Sequence, residues 1–344
     1  MTLEARIEAF WALGRFLKDP KNQSEIELWV DLAYHQNNWF TPENTRSAIE
    51  AIANYFLDET AISQWIGNYQ IPNENPNPQR VGLIMAGNIP AVGFHDLFCV
   101  LMSGHICVVK LSTQDTALMR GLISKLLEFA PELPIEFAEQ MKNVDALIAT
   151  GSDNTARYFE YYFRNKPHII RKNRSSLGII KGDETTEEFL ALGQDITSYF
   201  GLGCRNVSKL YVPKGYEFIS FYDAIEPLGD IFLNHKYKNN YDYNKSIYLI
   251  NGVKHFDNGF LVATPSENLV SPISVIFYEE YENEQDLAEK LALHEEKIQC
   301  IVSKDGWYPN SVPFGDAQCP KLADYADGVD TMKFLLEMGN VTKQ

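Results

Sequence analysis

Val81-Gly82-Leu83-Ile84-Met85-Ala86, followed at once by Gly87-Asn88-Ile89-Pro90, is the stretch on which the fold turns. Its first six residues carry no charge and are nearly all apolar, as in a strand covered on both faces. The Gly-Asn and Pro after it stop the strand and open a turn into a helix. The pattern then repeats. Ile106–Lys110 and Ala146–Thr150 are strands of the same kind, and Ala91–Ser103 and Asp115–Phe129 between them are helical in composition. A further strand at Leu177–Ile180 and a helix from about Thr185 to Phe200 complete the set. This is α/β organisation with a doubly wound parallel sheet, whose ligand crevice lies beyond the carboxyl ends of the strands.

Working outward, residues 1–69 read as a helical N-terminal region. Thr41-Pro42-Glu43 supplies an N-cap, a proline at the first helical position and an acid in the first turn. Residues 70–79 hold three prolines and three asparagines and read as a linker. Residues 80–200 are then expected to form a dinucleotide-binding domain. A second α/β domain is expected over 201–310, from Val207–Val212, Tyr216–Ala224, Phe260–Thr264, Ile273–Tyr278 and Cys300–Ser303. Residues 229–258 are polar-aromatic without a clear period, and 311–344 read as a tail.

The chain has 344 residues, 45% of them apolar and 12% aromatic, enough for two packed domains and against global disorder. A net charge of −16 argues against nonspecific nucleic-acid binding, since phosphates would be repelled over most of the surface. Five scattered cysteines without a CxxC pair form neither a disulfide framework nor a zinc pattern. Glu4 and Glu8 interrupt the N-terminal amphipathic run, so no signal peptide is expected, and no window is long enough to span a membrane. The expectation is a soluble, cytoplasmic protein.

Cys204, in Gly201-Leu202-Gly203-Cys204-Arg205-Asn206, lies between a helix and a strand. A thiol attacks as thiolate, and a cysteine with its usual pKa of about 8.5 is mostly protonated at neutral pH. Arg205 and Asn206 make its surroundings less apolar than those of Cys99, Cys107 and Cys300, which sit in apolar runs. A small buried hydrophobe at a helix end is an equally good local reading. Asn88 can donate to an oxyanion or simply cap a helix. Lys110 at a strand end and Thr150-Gly151-Ser152 at a strand-to-helix turn suit ribose and phosphate, although GxGxxG and GxxxxGK[ST] are both absent. The basic residues Arg164, Lys166, Arg171, Lys172 and Arg174 form either a phosphate-receiving patch or a solvated loop, the latter being the more economical reading. His95 and Asp96 suit the core or a cap better than a catalytic cavity.

Taken in order, Gly87-Asn88-Ile89-Pro90 through Asp96, Val108-Val109-Lys110-Leu111-Ser112, Thr150-Gly151-Ser152, Gly201-Leu202-Gly203-Cys204 and Pro272-Ile273-Ser274-Val275 resemble the aldehyde dehydrogenase superfamily. More narrowly they resemble its acyl-CoA reductase branch, which includes the fatty-acid reductase of bacterial bioluminescence. The resemblance covers about residues 80–305. It implies a cofactor domain and a nucleophile domain, homo-oligomeric assembly, Cys204 as nucleophile and Asn88 as oxyanion donor. It further implies that Lys110, with Ser112 and Thr113, contacts the adenosine ribose and that Gly151 and Ser152 contact the dinucleotide phosphates.

Two departures refine what the resemblance implies. Oxidising members carry a glutamate general base where this chain has Ile170-Arg171-Lys172-Asn173-Arg174-Ser175-Ser176, with no acid. Without it a thioacyl intermediate is poorly hydrolysed but can still accept hydride. NAD-preferring members often place an acid where Thr113 stands, so NADPH as well as NADH is expected to be accepted. A glutamate that touches the nicotinamide ribose is replaced by Asn268, beside Glu267. The expected activity is reduction of an acyl-CoA or acyl-protein thioester to the aldehyde, with an acyl-activating protein as a candidate partner. The alternatives are a cysteine-dependent thioesterase or acyltransferase, and a non-catalytic acyl-CoA or nucleotide-binding protein.

Overall fold

The computed structural model describes residues 1–151 and 153–339. The chain divides into two compact units, Met1–Asn173 with the chain from Pro320 onward, and Arg174–Cys319.

The first unit begins with four helices, α1 (Leu3–Lys18), α2 (Gln23–Gln36), α3 (Pro42–Ala51) and α4 (Glu59–Ile66). Thr41 caps α3 as expected, its side chain accepting from the Asn44 N–H. There follow β1 (Arg80–Ile84), α5 (Phe94–Met102), β2 (Ile106–Lys110), α6 (Thr116–Phe129), β3 (Ile135–Phe137), β4 (Ala146–Thr150), α7 (Asp153–Phe163) and β5 (His168–Arg171). The five strands pair in parallel in the order β3-β2-β1-β4-β5. Strand order reverses between β1 and β4, where an open α/β sheet forms its ligand crevice.

The expected separation of helices from sheet by a linker is not what forms. Phe10, Leu13, Trp29, Ile49 and Trp65 share one buried cluster with Val81, Leu97 and Ile148. The Pro/Asn-rich run is itself held down: Arg6 donates to the Pro72 carbonyl at 3.0 Å, Asn75 to that of Ser103 at 3.1 Å, and Gln79 N–H to His105 Nδ1 at 3.0 Å.

The second unit contains β6 (Ser175–Ile179), α8 (Thr186–Thr197), β7 (Val207–Pro213), α9 (Ile219–Ile225), α10 (His235–Ile250), β8 (Phe256–Asp257), β9 (Val262–Pro265), β10 (Val275–Tyr281), α11 (Glu284–Ala292), β11 (Ile298–Ser303) and β12 (Val312–Pro313). Its sheet runs β12-β11-β6-β7-β10-β9-β8, parallel except for the β8–β9 pair. The strand near 177 therefore hydrogen-bonds β7 and β11 rather than the first sheet. This moves the division from the expected 200/201 to 173/174.

The chain then returns to the first unit and ends in α12 (Thr331–Gly339). The expected tail, 311–344, is thus divided: residues 311–319 belong to the second unit, and from Pro320 the chain joins the core of the first, with Leu322, Met332 and Leu335 all buried. His95 and His105 bond the Leu322 and Leu335 carbonyls, each at 2.9 Å, and burial is the main cause that lowers both imidazole pKa values. Among the described residues no helix is long and apolar enough to cross a membrane.

Candidate active site

The candidate residues fall in both units: Asn88, Lys110, Ser112, Thr113 and Gly151 in the first, Cys204 in the second. Ser152 lies outside the described residues.

In the first unit the carboxyl ends of β1, β2 and β4 carry these groups, as the topology requires. Exposed Asn88 follows β1, exposed Lys110 ends β2 with Ser112 and Thr113 just beyond it, and Gly151 follows β4. The β1 and β2 loops touch. A Cβ added at Gly87 would lie 2.3 Å from Ser112 Oγ and 2.6 Å from its Cβ, so only glycine admits this approach. Pro90 does not begin α5, which starts at Phe94. Ala91 stands instead in the left-handed region at φ 54°. Its N–H donates to Asp115 Oδ2 at 2.8 Å.

Ser112 organises the other loop. Its hydroxyl accepts from Gln114 N–H at 3.2 Å, and its carbonyl accepts from Thr116 Oγ1 at 2.8 Å. Gln36, the last residue of α2, donates to the Thr113 carbonyl at 2.5 Å and accepts from Ala117 N–H at 2.8 Å. The loop expected to meet the adenosine ribose is thus fixed by a residue 77 positions away in sequence. Sequence reasoning missed Gln36, because such a long-range contact leaves no local pattern.

In the second unit Cys204 lies in the turn between α8 and β7, partly exposed, whereas Cys99, Cys107 and Cys300 are buried. Burial pushes the Cys99 and Cys107 thiols up, which makes them inert. Cys204 and Cys319 are the two cysteines with exposed surface. The approach to Cys204 is strained: Tyr199, Phe200 and Gly201 are all left-handed, at φ 50°, 60° and 75°. Two of these three carry a side chain, and such strain persists only where the surroundings impose it.

Asn206 imposes it. Its side chain is 2% exposed, donates to the Asp195 and Ser198 carbonyls at 3.0 and 2.8 Å, and accepts from Gly203 N–H at 2.8 Å. Ser176 Oγ holds the Cys204 carbonyl at 3.0 Å. Arg205, expected to make the thiol's surroundings polar, is committed to the Ala317 carbonyl and to Cys300 Sγ at 3.7 Å. Asp195 accepts from Gly315 and Ala317 N–H at 2.7 and 3.1 Å, and its carboxyl is pushed up to about 7, mainly by burial. The residues flanking Cys204 are therefore tied to α8 and the 315–317 segment.

No family model matches the chain. Over 191 residues it is 23% identical to a long-chain acyl-protein thioester reductase of Aliivibrio fischeri, a match that spans 48% of this chain and only 39% of that relative. Among solved structures, aldehyde dehydrogenase 21 of Physcomitrella patens, in complex with the reaction product succinate, matches 98% of this chain and 84% of its own, with a TM-score of 0.67 at 14% identity. The fold is the aldehyde dehydrogenase fold. A Bacillus cereus aldehyde dehydrogenase in complex with NAD+ matches 88% of this chain and 72% of its own at TM-score 0.63 and 15% identity. The NADP-dependent glyceraldehyde-3-phosphate dehydrogenase of Bacillus halodurans, complexed with NADP, gives 0.63 at 11% identity over 88% and 74%.

Within this aldehyde dehydrogenase fold, Arg164, Lys166 and Lys172 of the basic run 164–174 are exposed, as the solvated-loop reading expects, but Arg171 is not. Arg171 is buried, paired with Asp96 and donating to Thr331 Oγ1 at 2.8 Å. Lys172 pairs with Glu160 at 2.9 Å, and Lys166 donates to the Val144 carbonyl at 2.5 Å. The Asp96–Arg171 pair and the His95–Leu322 bond give both members of His95-Asp96 structural roles, as expected. Glu267 and Asn268 are both exposed, and the Glu267 carbonyl accepts from buried Lys209 at 3.1 Å.

Proposed function

We propose that this protein is an NAD(P)H-dependent reductase that converts an acyl thioester, acyl-CoA or acyl-protein, to the aldehyde through a thioacyl-Cys204 intermediate. The observation that carries the reading is the Cys204 turn. The thiol is partly exposed, and buried Asn206 and Ser176 hold the flanking backbone in a strained conformation. The acyl-protein thioester reductase match points to a thioester rather than a free aldehyde as substrate.

In this reading the Cys204 thiolate attacks the thioester carbonyl, and the Asn88 amide donates to the oxyanion. Collapse of the tetrahedral adduct expels the thiol of the carrier. Lys110, Ser112, Thr113 and Gly151 suit a dinucleotide, because exposed Lys110 and Thr113 and half-buried Ser112 and Gly151 follow the carboxyl ends of parallel strands, beside a close Gly87–Ser112 approach. A reduced nicotinamide dinucleotide held by these residues would supply hydride; on Cys204 the thioacyl group would then become a thiohemiacetal, whose collapse frees the aldehyde and returns the Cys204 thiolate. The stretch 170–176 offers no carboxylate to activate water, which favours reduction over hydrolysis. Thr113 places no carboxylate against a 2′-phosphate, which favours acceptance of NADPH.

Cys204→Ala is expected to abolish labelling by radioactive acyl-CoA and to lower turnover on the order of 10⁴-fold or more, while Cys99→Ala leaves both intact. Labelling that survives in Cys204→Ala overturns the mechanism. Acyl-CoA consumed by the wild type without loss of reduced-nicotinamide absorbance assigns a thioesterase instead.

A further inference from the structure

The residue that precedes α6 should cap it. Asp115 stands at the N-cap position, and aspartate there normally accepts from the first free N–H groups of its own helix. It makes no such bond. Its carboxylate turns to the neighbouring loop and accepts from the Ala91 N–H at 2.8 Å, while Gln36 Oε1 reaches in from α2 and takes the Ala117 N–H of α6 at 2.8 Å. An external cap on α6 therefore leaves Asp115 available to the turn between β1 and α5. Asp115 is 1% exposed, and its second oxygen, Oδ1, is buried without a hydrogen-bond partner. A buried carboxyl group with one oxygen unsatisfied is costly and needs a compensating gain.

The gain is at Ala91. A residue with a Cβ at φ 54° relaxes unless something holds it, and its N–H is the handle by which Asp115 does so. The same turn carries Asn88, three residues earlier. Gly87, packed so closely against Ser112 that a Cβ added to it would also lie 3.2 Å from the Asp115 Cβ, closes it from the other end.

We propose that Asp115 is a positioning residue that fixes the Gly87–Ala91 turn and, through it, the aim of the Asn88 amide. The proposal rests on the oxyanion role assigned to Asn88 above. Its structural half, however, is tested without any turnover.

Asp115→Ser is the informative variant. Serine caps α6 locally, which preserves the helix, but is one atom shorter and surrenders the Ala91 bond. Native hydrogen exchange should show amide protection at Ala91 falling at least about tenfold in this variant, while α6 stays protected. In turnover with acyl-CoA and NADPH, kcat should fall about tenfold to a hundredfold with KM within about threefold. Misaiming an oxyanion donor costs less than the roughly 10²–10³ seen on deleting one. Asp115→Asn, whose Oδ1 can still accept from Ala91 N–H, should recover both readouts; if Asp115→Ser does not fold, Asp115→Asn against Asp115→Leu gives the same contrast. Wild-type Ala91 protection in Asp115→Ser overturns the proposal outright. Lost protection with unchanged kcat removes the link to Asn88. A wild type inactive on every thioester sinks the reductase reading and leaves the exchange result to judge Asp115.

Discussion

Asn206→Ala tests whether the Cys204 turn is held under strain. Three hydrogen bonds vanish, to the Asp195 and Ser198 carbonyls and from Gly203 N–H. At about 1 kcal/mol net each, they contribute about 3 kcal/mol. Against this stand Tyr199 and Phe200, non-glycine residues in the left-handed region at roughly 1–2 kcal/mol apiece, together about 2–4 kcal/mol. The two sums nearly cancel. The wild-type turn is thus held by little more than what Asn206 returns, and its removal should relax the turn rather than unfold the unit. We expect the urea midpoint to correspond to a loss of only about 1 kcal/mol. Amide protection over residues 198–206 should fall several-fold, with about 100-fold as the ceiling that the roughly 3 kcal/mol returned by Asn206 sets. Acylation of the thiol by acyl-CoA should slow at least tenfold, because a relaxed turn no longer presents Cys204 in one orientation. Hydrogen exchange read by mass spectrometry on peptides covering 198–206, beside a urea titration, settles it. Unchanged protection in a fully folded variant refutes the strain account. So does a loss of about 3 kcal/mol in global stability with protection elsewhere falling in step, which would make Asn206 an ordinary core residue.

Two further outcomes follow from the same geometry. Gln36→Ala removes both the external cap on Ala117 N–H and the anchor on the Thr113 carbonyl; stability should fall by about 1 kcal/mol, and a fluorescence titration should show NADPH affinity weakening more than NADH affinity, equal loss for both refuting a role of that loop at the 2′ position. Burial raises the Asp115 carboxyl from 3.8 to about 8 and is opposed only by the Ala91 N–H, and burial likewise raises Asp195 to about 7. The folded protein then keeps protons that the unfolded chain releases above pH about 4, so stability falls as pH rises from about 4 to about 8, by up to roughly 1.4 kcal/mol per pH unit per proton. Asp115→Asn should flatten the decline throughout pH 4–8, most distinctly towards pH 8, where Asp195 has lost most of its proton; identical urea midpoints against pH in both proteins refute it.

The inner strands of both sheets were legible as short apolar runs bounded by turn residues, whereas the edge strands β3, β5, β8 and β12, two to four residues long, were not. Helix α10 was not. Its buried face is Tyr237, Tyr241 and Asn244, a helical spacing written in polar and aromatic residues rather than aliphatics. The Asn234 side chain, accepting from the Lys236 and Tyr237 N–H groups, was the available local signal for its start. The ends of the first unit were illegible for another reason. Trp65 donates to Tyr325 at 2.8 Å and His105 bonds Leu335. Bonds across more than two hundred residues leave no periodicity to read, so a linker and a tail were expected where the fold has core.

The candidate site divides along the same line. Asn88 and Lys110 could be singled out because they stand at the carboxyl ends of parallel strands, where an open α/β sheet forms its crevice, and Cys204 because it stands in a glycine-rich turn. What positions them could not. Asp115 before Thr116 reads locally as an ordinary cap, and Asn206 as a polar neighbour of a thiol. Only the fold reveals that one has given its own helix to Gln36 in order to hold Ala91, and that the other balances two left-handed residues. Local rules fail at both places in the same way: a side chain that would satisfy its own element instead constrains a neighbouring one. Sequence consistency is expected to break where geometry has to be imposed. Two such breaks stand beside Cys204 and in the turn that carries Asn88, the residues proposed above for attack and oxyanion stabilisation, which is where imposed geometry would serve that chemistry.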